Sequence, residues 1–292
     1  MARIPINGVS LHVEEAGSGE PIIFVHEFGG DARSWQPQVE HFSHHYRCVV
    51  YNARGYPPSD VPEDEALYGQ HLSTADLKGV LDALDIEQAF VVGLSMGAYT
   101  GLMLTMQHPE RVRALVFASG GSGAYPETRK QFLADTTAVA EKILQVNSVE
   151  AAGISSGPSR VQLQNKNHVV WEQFAAHLSE HSAVGSAYTL RRVQAERPSL
   201  YDLTAALRAV TTPTLLVVGD EDESCLDVNL YLKRTMPYAG LSIFPKSGHL
   251  LNLEEPERFN GLIDEFFQTV QAGQWSRRDP RSETVSAFGQ KT

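Results

Sequence analysis

The chain has 292 residues, 42% of them apolar and 20% charged, with 24 Lys plus Arg against 35 Asp plus Glu and a formal charge of −11. That mix is an ordinary globular protein of one large domain or a core with one insertion, and its acidity excludes the electrostatic footprint of a nucleic-acid binder. No stretch approaches the ~18 apolar residues of a membrane span.

The first elements form a hairpin: Ile4–Ile6 and Val9–Val13 flank Asn7-Gly8, a two-residue turn signal. This N-terminus has no long apolar run, so no signal peptide is expected and the cytoplasm is the default compartment. Pro21–His26 is a continuous apolar run of buried-strand type, ending in the loop Glu27-Phe-Gly-Gly30. Ser34 is expected to cap a short helix through Phe42. Tyr46–Tyr51 is a further strand, followed by the irregular Asn52–Ser59. Ser73 with Asp76 resembles a capped helix start, with Leu77, Val80, Leu81 and Leu84 at helical spacing.

Ala89–Gly93 is strand-like and runs into a helix, Met96–His108, that Pro109 stops. Val112–Phe117, Thr214–Val218 and Leu241–Phe244 complete the strands. Short apolar strands alternating with helices predict a doubly wound, mostly parallel α/β sheet covered on both faces. Residues 122–205 carry helical patterns and no convincing strand, and are expected to form an inserted helical cap. The core then spans 1–121 and 206–272, and the polar tail 273–292 is expected to add nothing to it. Two cysteines, Cys48 and Cys225, give neither a disulfide framework nor a metal cluster. The eleven histidines show no zinc spacing, so no metal or cofactor is expected.

Two segments match Gly-x-Ser-x-Gly: Gly93-Leu-Ser95-Met-Gly97 and Gly153-Ile-Ser155-Ser-Gly157. Context separates them. A nucleophile elbow joins a strand to a helix through a sharp turn. The first match follows Phe90-Val-Val and opens a helix; the second has no strand before it and reads as a loop. A serine hydroxyl needs a base, and the base needs an orienting group. His249, in a loop between a strand and a helix, is the candidate base. Asp220, Glu221, Asp222 and Glu223 follow the Thr214–Val218 strand, with Asp227 nearby, and spacing alone selects none of them as the acid. An acyl-transfer oxyanion needs two aimed N–H donors: Met96, after the nucleophile, and Phe28, in the loop that Gly29-Gly30 opens to substrate.

His26-Glu-Phe-Gly-Gly30, Asn52-Ala-Arg-Gly55, Gly93–Gly97, Gly219-x-x-Asp222 and Ser247-Gly-His249 occur in this order and resemble the α/β-hydrolase superfamily over about residues 5–120 and 205–270. The N-terminal half looks most like the branch holding 3-oxoadipate enol-lactonases and small esterases. The resemblance implies a Ser95–Asp222–His249 triad, with Asp222 chosen over Asp220. The serine argues against the dehalogenases and epoxide hydrolases of the superfamily, which carry an aspartate at the elbow. Two departures stand out. The superfamily pattern has His-Gly where this chain has His26-Glu27, and Asp-x-Arg-Gly where it has Asn52-Ala-Arg54-Gly55. Glu27 is expected to face solvent; the other reading places it at the site mouth, acting on substrate charge. His26 and Arg54 read as loop-structuring residues. Tyr125, Trp171, Phe174 and Tyr188 read as core aromatics of the cap, with His168, His177 and His181 on its surface.

The function implied is a cofactor-free serine hydrolase of a small-molecule ester or lactone, without nucleic-acid or membrane partners and with homo-oligomerisation open. Rival readings are a carbon–carbon bond hydrolase of a vinylogous or β-diketone substrate, a perhydrolase or acyltransferase, and a non-catalytic ligand-binding protein on the same fold.

Overall fold

A computed structural model describes residues 2–283. The hairpin forms as its turn predicts: β1 (Ala2–Ile6) pairs antiparallel with β2 (Val9–Ala16), with Asn7 and Gly8 at φ +47° and +80°, the left-handed pair of a type I′ turn. β3 (Glu20–Val25), β4 (Tyr46–Tyr51), β5 (Ala89–Leu94), β6 (Val112–Ala118), β7 (Thr214–Gly219) and β8 (Ala239–Phe244) complete an eight-stranded sheet of order β1-β2-β4-β3-β5-β6-β7-β8. The two pairings made by β2 are antiparallel and the remaining five are parallel. Every residue of β5 and β7 is buried, because helices cover both faces.

α1 (Gln36–Phe42), α2 (Gln70–Ala83) and α3 (Met96–Gln107) follow β3, β4 and β5. Between β6 and β7 run α4 (Pro126–Val146), the 3₁₀ turn Pro158–Arg160, α5 (Val161–Lys166), α6 (His168–Ser179), α7 (Ala183–Tyr188), a π-helical stretch Thr189–Ala195 and α8 (Thr204–Ala209), with no strand among them. α9 (Leu226–Thr235), the single turn α10 (Leu251–Glu254) and α11 (Pro256–Gln271) close the fold. One apolar cluster gathers Phe24, Trp35, Phe42, Phe90 and Phe267 on one side of the sheet. The other gathers Leu77, Leu81, Leu102, Leu115 and Leu216 on the opposite side. Alternating residues of each strand feed the two clusters: Phe24 and Phe90 one, Ile23 and Val91 the other.

Three local expectations change. Ser34 caps no helix: α1 has no side-chain cap, and Asp31 instead caps the 3₁₀ turn Ala32–Trp35 that leads into it, its carboxylate accepting the Arg33 N–H while Ser34 Oγ accepts the Asp31 N–H in return. α2 begins at Gln70, three residues before Ser73, and Asp76 is spent on a distant partner: Arg54 binds it with two nitrogens, at 2.6 and 2.8 Å. The start of the tail does join the core. Trp275 packs edge-on against Phe266 and donates to the Tyr238 carbonyl at 2.8 Å; residues 284–292 lie outside the described residues. Among the described residues no helix is long and apolar enough to cross a membrane.

Candidate active site

Ser95 sits between β5 and α3 with φ +53° and ψ −109°. An L-residue pays of order 1–3 kcal/mol for such a backbone, and this strain persists only where the surroundings impose it. They do so here through close approach. A Cβ on Gly93 would fall 2.4 Å from the Gly97 carbonyl oxygen, and one on Gly97 would fall 2.0 Å from that of Val25. The Ser95 N–H is tied to the Ala118 carbonyl of β6 at 2.8 Å. The second motif has none of this crowding: a Cβ on Gly153 or Gly157 would meet nothing nearer than 3.4 Å. Ser155 lies between helices, buried, with its hydroxyl on Glu150 at 2.7 Å.

His249 and Asp222 come from the loops after β8 and β7. These strands are neighbours, and their ends touch: a Cβ on Gly219 would strike the Ser247 carbonyl oxygen. His249 Nδ1 lies 2.8 Å from Asp222 Oδ2, with both side chains buried. Burial works to raise the Asp222 carboxyl, but His249, Cys225 and Ser224 outweigh it and hold the group below the ordinary carboxylate range. The carboxylate therefore accepts the Nδ1 proton and leaves Nε2 available. Nε2 makes no hydrogen bond among the described residues. The rival acids go elsewhere. Asp220 is half-buried and accepts the Ser247 N–H at 3.3 Å. Glu221 is exposed and meets Gln162 and Lys246, and Glu223 and Asp227 are exposed. Cys225 is fully buried beside this pair and donates to the Ser119 carbonyl at 3.2 Å. Burial pushes its thiol well above the ordinary range, so it stays protonated.

Neither the Phe28 nor the Met96 N–H has an acceptor among the described residues. Met96 is the first residue of α3, where the helix leaves its N–H groups unpaired. The loop bearing Phe28 is held from β4's side. His26 Nδ1 donates to the Glu27 carbonyl at 2.7 Å, and its Nε2 accepts the Ala53 N–H at 3.0 Å. Burial lowers the His26 pKa, which keeps this ring neutral and able to do both. Tyr56 is fully buried, donates its hydroxyl to the Phe28 carbonyl at 2.8 Å and packs against Met96. Arg54, bound to Asp76, also donates to the Leu67 carbonyl at 2.6 Å.

Glu27 does not face solvent. It is 1% exposed, accepts the Gly29 N–H at 2.9 Å and pairs with Arg160 of the inserted helical segment at 2.8 Å. A carboxylate stays buried only when matched, and its match lies 133 residues away. His181 is likewise not a surface residue: its Nε2 lies 3.2 Å from Asp31 Oδ2 and both side chains are buried. His168 is exposed and His177 half-buried. Glu254 carries no motif that marks it as a site residue, yet its carboxylate accepts the N–H groups of Gly248 and Leu250 at 2.7 and 3.0 Å. Its signal was local: an acid five residues after a candidate base, at the end of the single turn α10. α5 closes over the same loop, with Lys166 donating to Ser247 Oγ at 2.9 Å.

Comparison with known proteins gives consistent relatives. The family model described as the alpha/beta hydrolase fold matches residues 20–256. A 3-oxoadipate enol-lactonase from Acinetobacter baylyi is 26% identical over 264 residues, 90% of this chain and 94% of that protein. A 2-hydroxy-6-oxononadienedioate/2-hydroxy-6-oxononatrienedioate hydrolase from Paraburkholderia xenovorans is 26% identical over 282 residues, 88% of this chain and 90% of that protein. Among solved structures, a thermophilic esterase from Thermogutta terrifontis superposes with a TM-score of 0.76 at 25% identity, covering 92% of this chain and 97% of the other.

Proposed function

The chain belongs to the α/β-hydrolase family, and on that premise we propose that it is a serine hydrolase of a small carboxylic ester or lactone. The observation that carries the proposal is the buried 2.8 Å contact between His249 Nδ1 and Asp222, formed at the strand ends where the strained elbow presents Ser95. Ser95 Oγ attacks the carbonyl carbon while His249 Nε2 takes its proton. Asp222 keeps the imidazole in the required tautomer and stabilises its charged form. The Phe28 and Met96 N–H groups hold the oxyanion. His249 returns the proton to the leaving alkoxide, and the acyl group remains on Ser95. Water, deprotonated by the same nitrogen, then releases the acid. Ser95 and His249 are each 6% exposed, an enclosure that suits a small acyl compound.

A second reading has its own support. The Paraburkholderia xenovorans relative is named for a dienedioate substrate and not for an ester, and the same three side chains suit carbon–carbon cleavage of a vinylogous diketone. Parallel assays of 4-nitrophenyl esters, lactones and a ring-cleavage diketone separate the two. In either case Ser95→Ala is expected to lose activity by several orders of magnitude with unchanged circular dichroism, and Ser155→Ala to keep it. A serine-reactive phosphonate should label wild type and not Ser95→Ala. Loss of activity in Ser155→Ala alone would overturn the elbow assignment, and failure of the phosphonate to label wild type would favour a non-catalytic binding protein.

A further inference from the structure

Residues 158–166 touch two core loops at once. Arg160 pairs with Glu27, the neighbour of Phe28, and its guanidinium lies over the Phe174 ring at 5.1 Å. Two residues on, Gln162 crowds the neighbour of His249: a Cβ on Gly248 would meet Gln162 Cβ at 3.2 Å. The segment therefore lies across the flank of the oxyanion loop and the flank of the histidine loop, with Arg160 on the oxyanion side. The contact there is tight. A Cβ on Gly29 would fall 3.0 Å from Arg160 Nη2 and 3.1 Å from both Glu27 Oε1 and the Phe174 ring.

The pair is buried, with side chains 5% and 2% exposed, and it is incompletely satisfied. A guanidinium offers five donors in a planar fork suited to two parallel bonds with one carboxylate. Arg160 reaches Glu27 Oε2 through Nη2 alone, and Nη1 turns to Ser159. Arg160 Nε and Glu27 Oε1 are buried without a hydrogen-bond partner among the described residues. Two charged groups thus meet beside the oxyanion loop in a geometry poorer than the fork allows. Neither His249 nor Asp222 uses them.

We propose that Arg160 is the centre of an anion subsite beside the oxyanion loop, and that Glu27 fills it as an internal carboxylate. The charge of Arg160 is then cancelled, and the site accepts uncharged acyl compounds while rejecting those whose acyl chain carries a carboxylate. Glu27 is the specificity-determining residue: removing it exposes an arginine to the substrate's own carboxylate. This proposal rests on the acyl-hydrolase reading above for its catalytic consequence, but the subsite itself does not depend on that reading.

Two measurements test it. Turnover of 4-nitrophenyl butyrate and of mono-4-nitrophenyl succinate, a pair differing by a terminal carboxylate, is compared in wild type, Glu27→Gln and the double variant Glu27→Gln/Arg160→Gln. Wild type should favour the neutral ester. Glu27→Gln should shift the kcat/KM ratio toward the succinate by about tenfold or more, a step of 1.4 kcal/mol, and the double variant should lose that shift. An unchanged ratio in Glu27→Gln overturns the proposal. The second measurement needs no activity and allows for a variant weakened by its unpaired arginine: thermal melts of Glu27→Ala in acetate against chloride at equal ionic strength. Acetate should raise the melting temperature of Glu27→Ala by several degrees through ligand linkage. It should leave wild type and Glu27→Ala/Arg160→Gln unmoved. No rise in Glu27→Ala overturns the subsite, whereas a rise in a protein that cleaves neither ester retains the subsite and rejects the ester reading.

Discussion

Glu254 holds His249 from both sides, accepting the backbone N–H of the residue before it and of the residue after it. Both bonds are to a carboxylate and therefore stronger than neutral ones. Burial raises the Glu254 pKa, and the two N–H groups and the positive charge of Lys166 work against that rise. Glu254 is a positioning residue: it fixes the peptide from which the imidazole projects. Glu254→Gln keeps one acceptor and is expected to lower kcat about tenfold with little change in KM, since a small misplacement of a proton-transfer group costs rate and not ground-state binding. Glu254→Ala should lower it further. Steady-state kinetics beside circular dichroism checks this; a rise in KM with unchanged kcat would remove the positioning role.

The choice between Asp222 and Asp220 follows from where each carboxylate goes. Asp222 contacts the imidazole, whereas Asp220 meets only the Ser247 N–H at 3.3 Å. Asp222→Asn is expected to cost about three to four orders of magnitude in kcat with binding little changed. Asp220→Asn, losing one long hydrogen bond, should cost less than about fivefold. Turnover of the two single variants decides it, and a reversed order of severity would reassign the acid.

The features legible in the sequence were those set by local rules. The period of the apolar residues placed the strands, Asn7-Gly8 placed the hairpin, and the two glycines around Ser95 marked an elbow because backbone approach there excludes any side chain. What escaped depended on partners distant in the chain. Glu27 looks like a solvated loop acid until Arg160 is brought against it, and His181 looks like a surface residue until Asp31 is. Ser73 and Asp76 read as a helix start because nothing nearby shows that Arg54 claims the aspartate. Ser34 looks like a cap for a local reason. It is the reciprocal member of the box that Asp31 heads, a position more often held by Glu or Gln.

Tyr56 joins the two candidate oxyanion donors, since its hydroxyl bonds the Phe28 carbonyl and its ring packs on Met96. Burial raises its pKa well above the phenol range, so the hydroxyl keeps the proton it donates. Tyr56→Phe removes that bond and leaves the ring. A hydrogen bond of this kind is worth about 1 kcal/mol net, so kcat should fall roughly fivefold, with KM nearly constant. The separating measurement is affinity for a boronate or phosphonate transition-state mimic, which should weaken in step with kcat while affinity for the product acid does not. Equal weakening of both would make Tyr56 a packing residue only.

Asp31 ties the inserted helices to the core and should make that tie sensitive to acid. Its carboxylate is buried, meets His181 Nε2 at 3.2 Å and Arg33 at 2.6 Å, and caps its own 3₁₀ turn. Burial acts to raise its pKa, but the bonds from His181 and Arg33 prevail and hold it well below the usual carboxylate range. A carboxyl whose folded pKa lies below its unfolded value of about 3.9 stabilises the fold above that value. It loses the contribution as pH falls toward the folded pKa. Asp31→Asn is therefore expected to be less stable than wild type by about 2–3 kcal/mol at pH 7, the scale of hydrogen bonds to a charged group plus a cap. The deficit should narrow as pH falls below about 4, because wild type then surrenders what the variant never had. Urea midpoints of both proteins at pH 7, 5, 4 and 3 measure it. A deficit as large at pH 3 as at pH 7 would mean that the Asp31 charge contributes nothing and that the loss in the variant is one of shape.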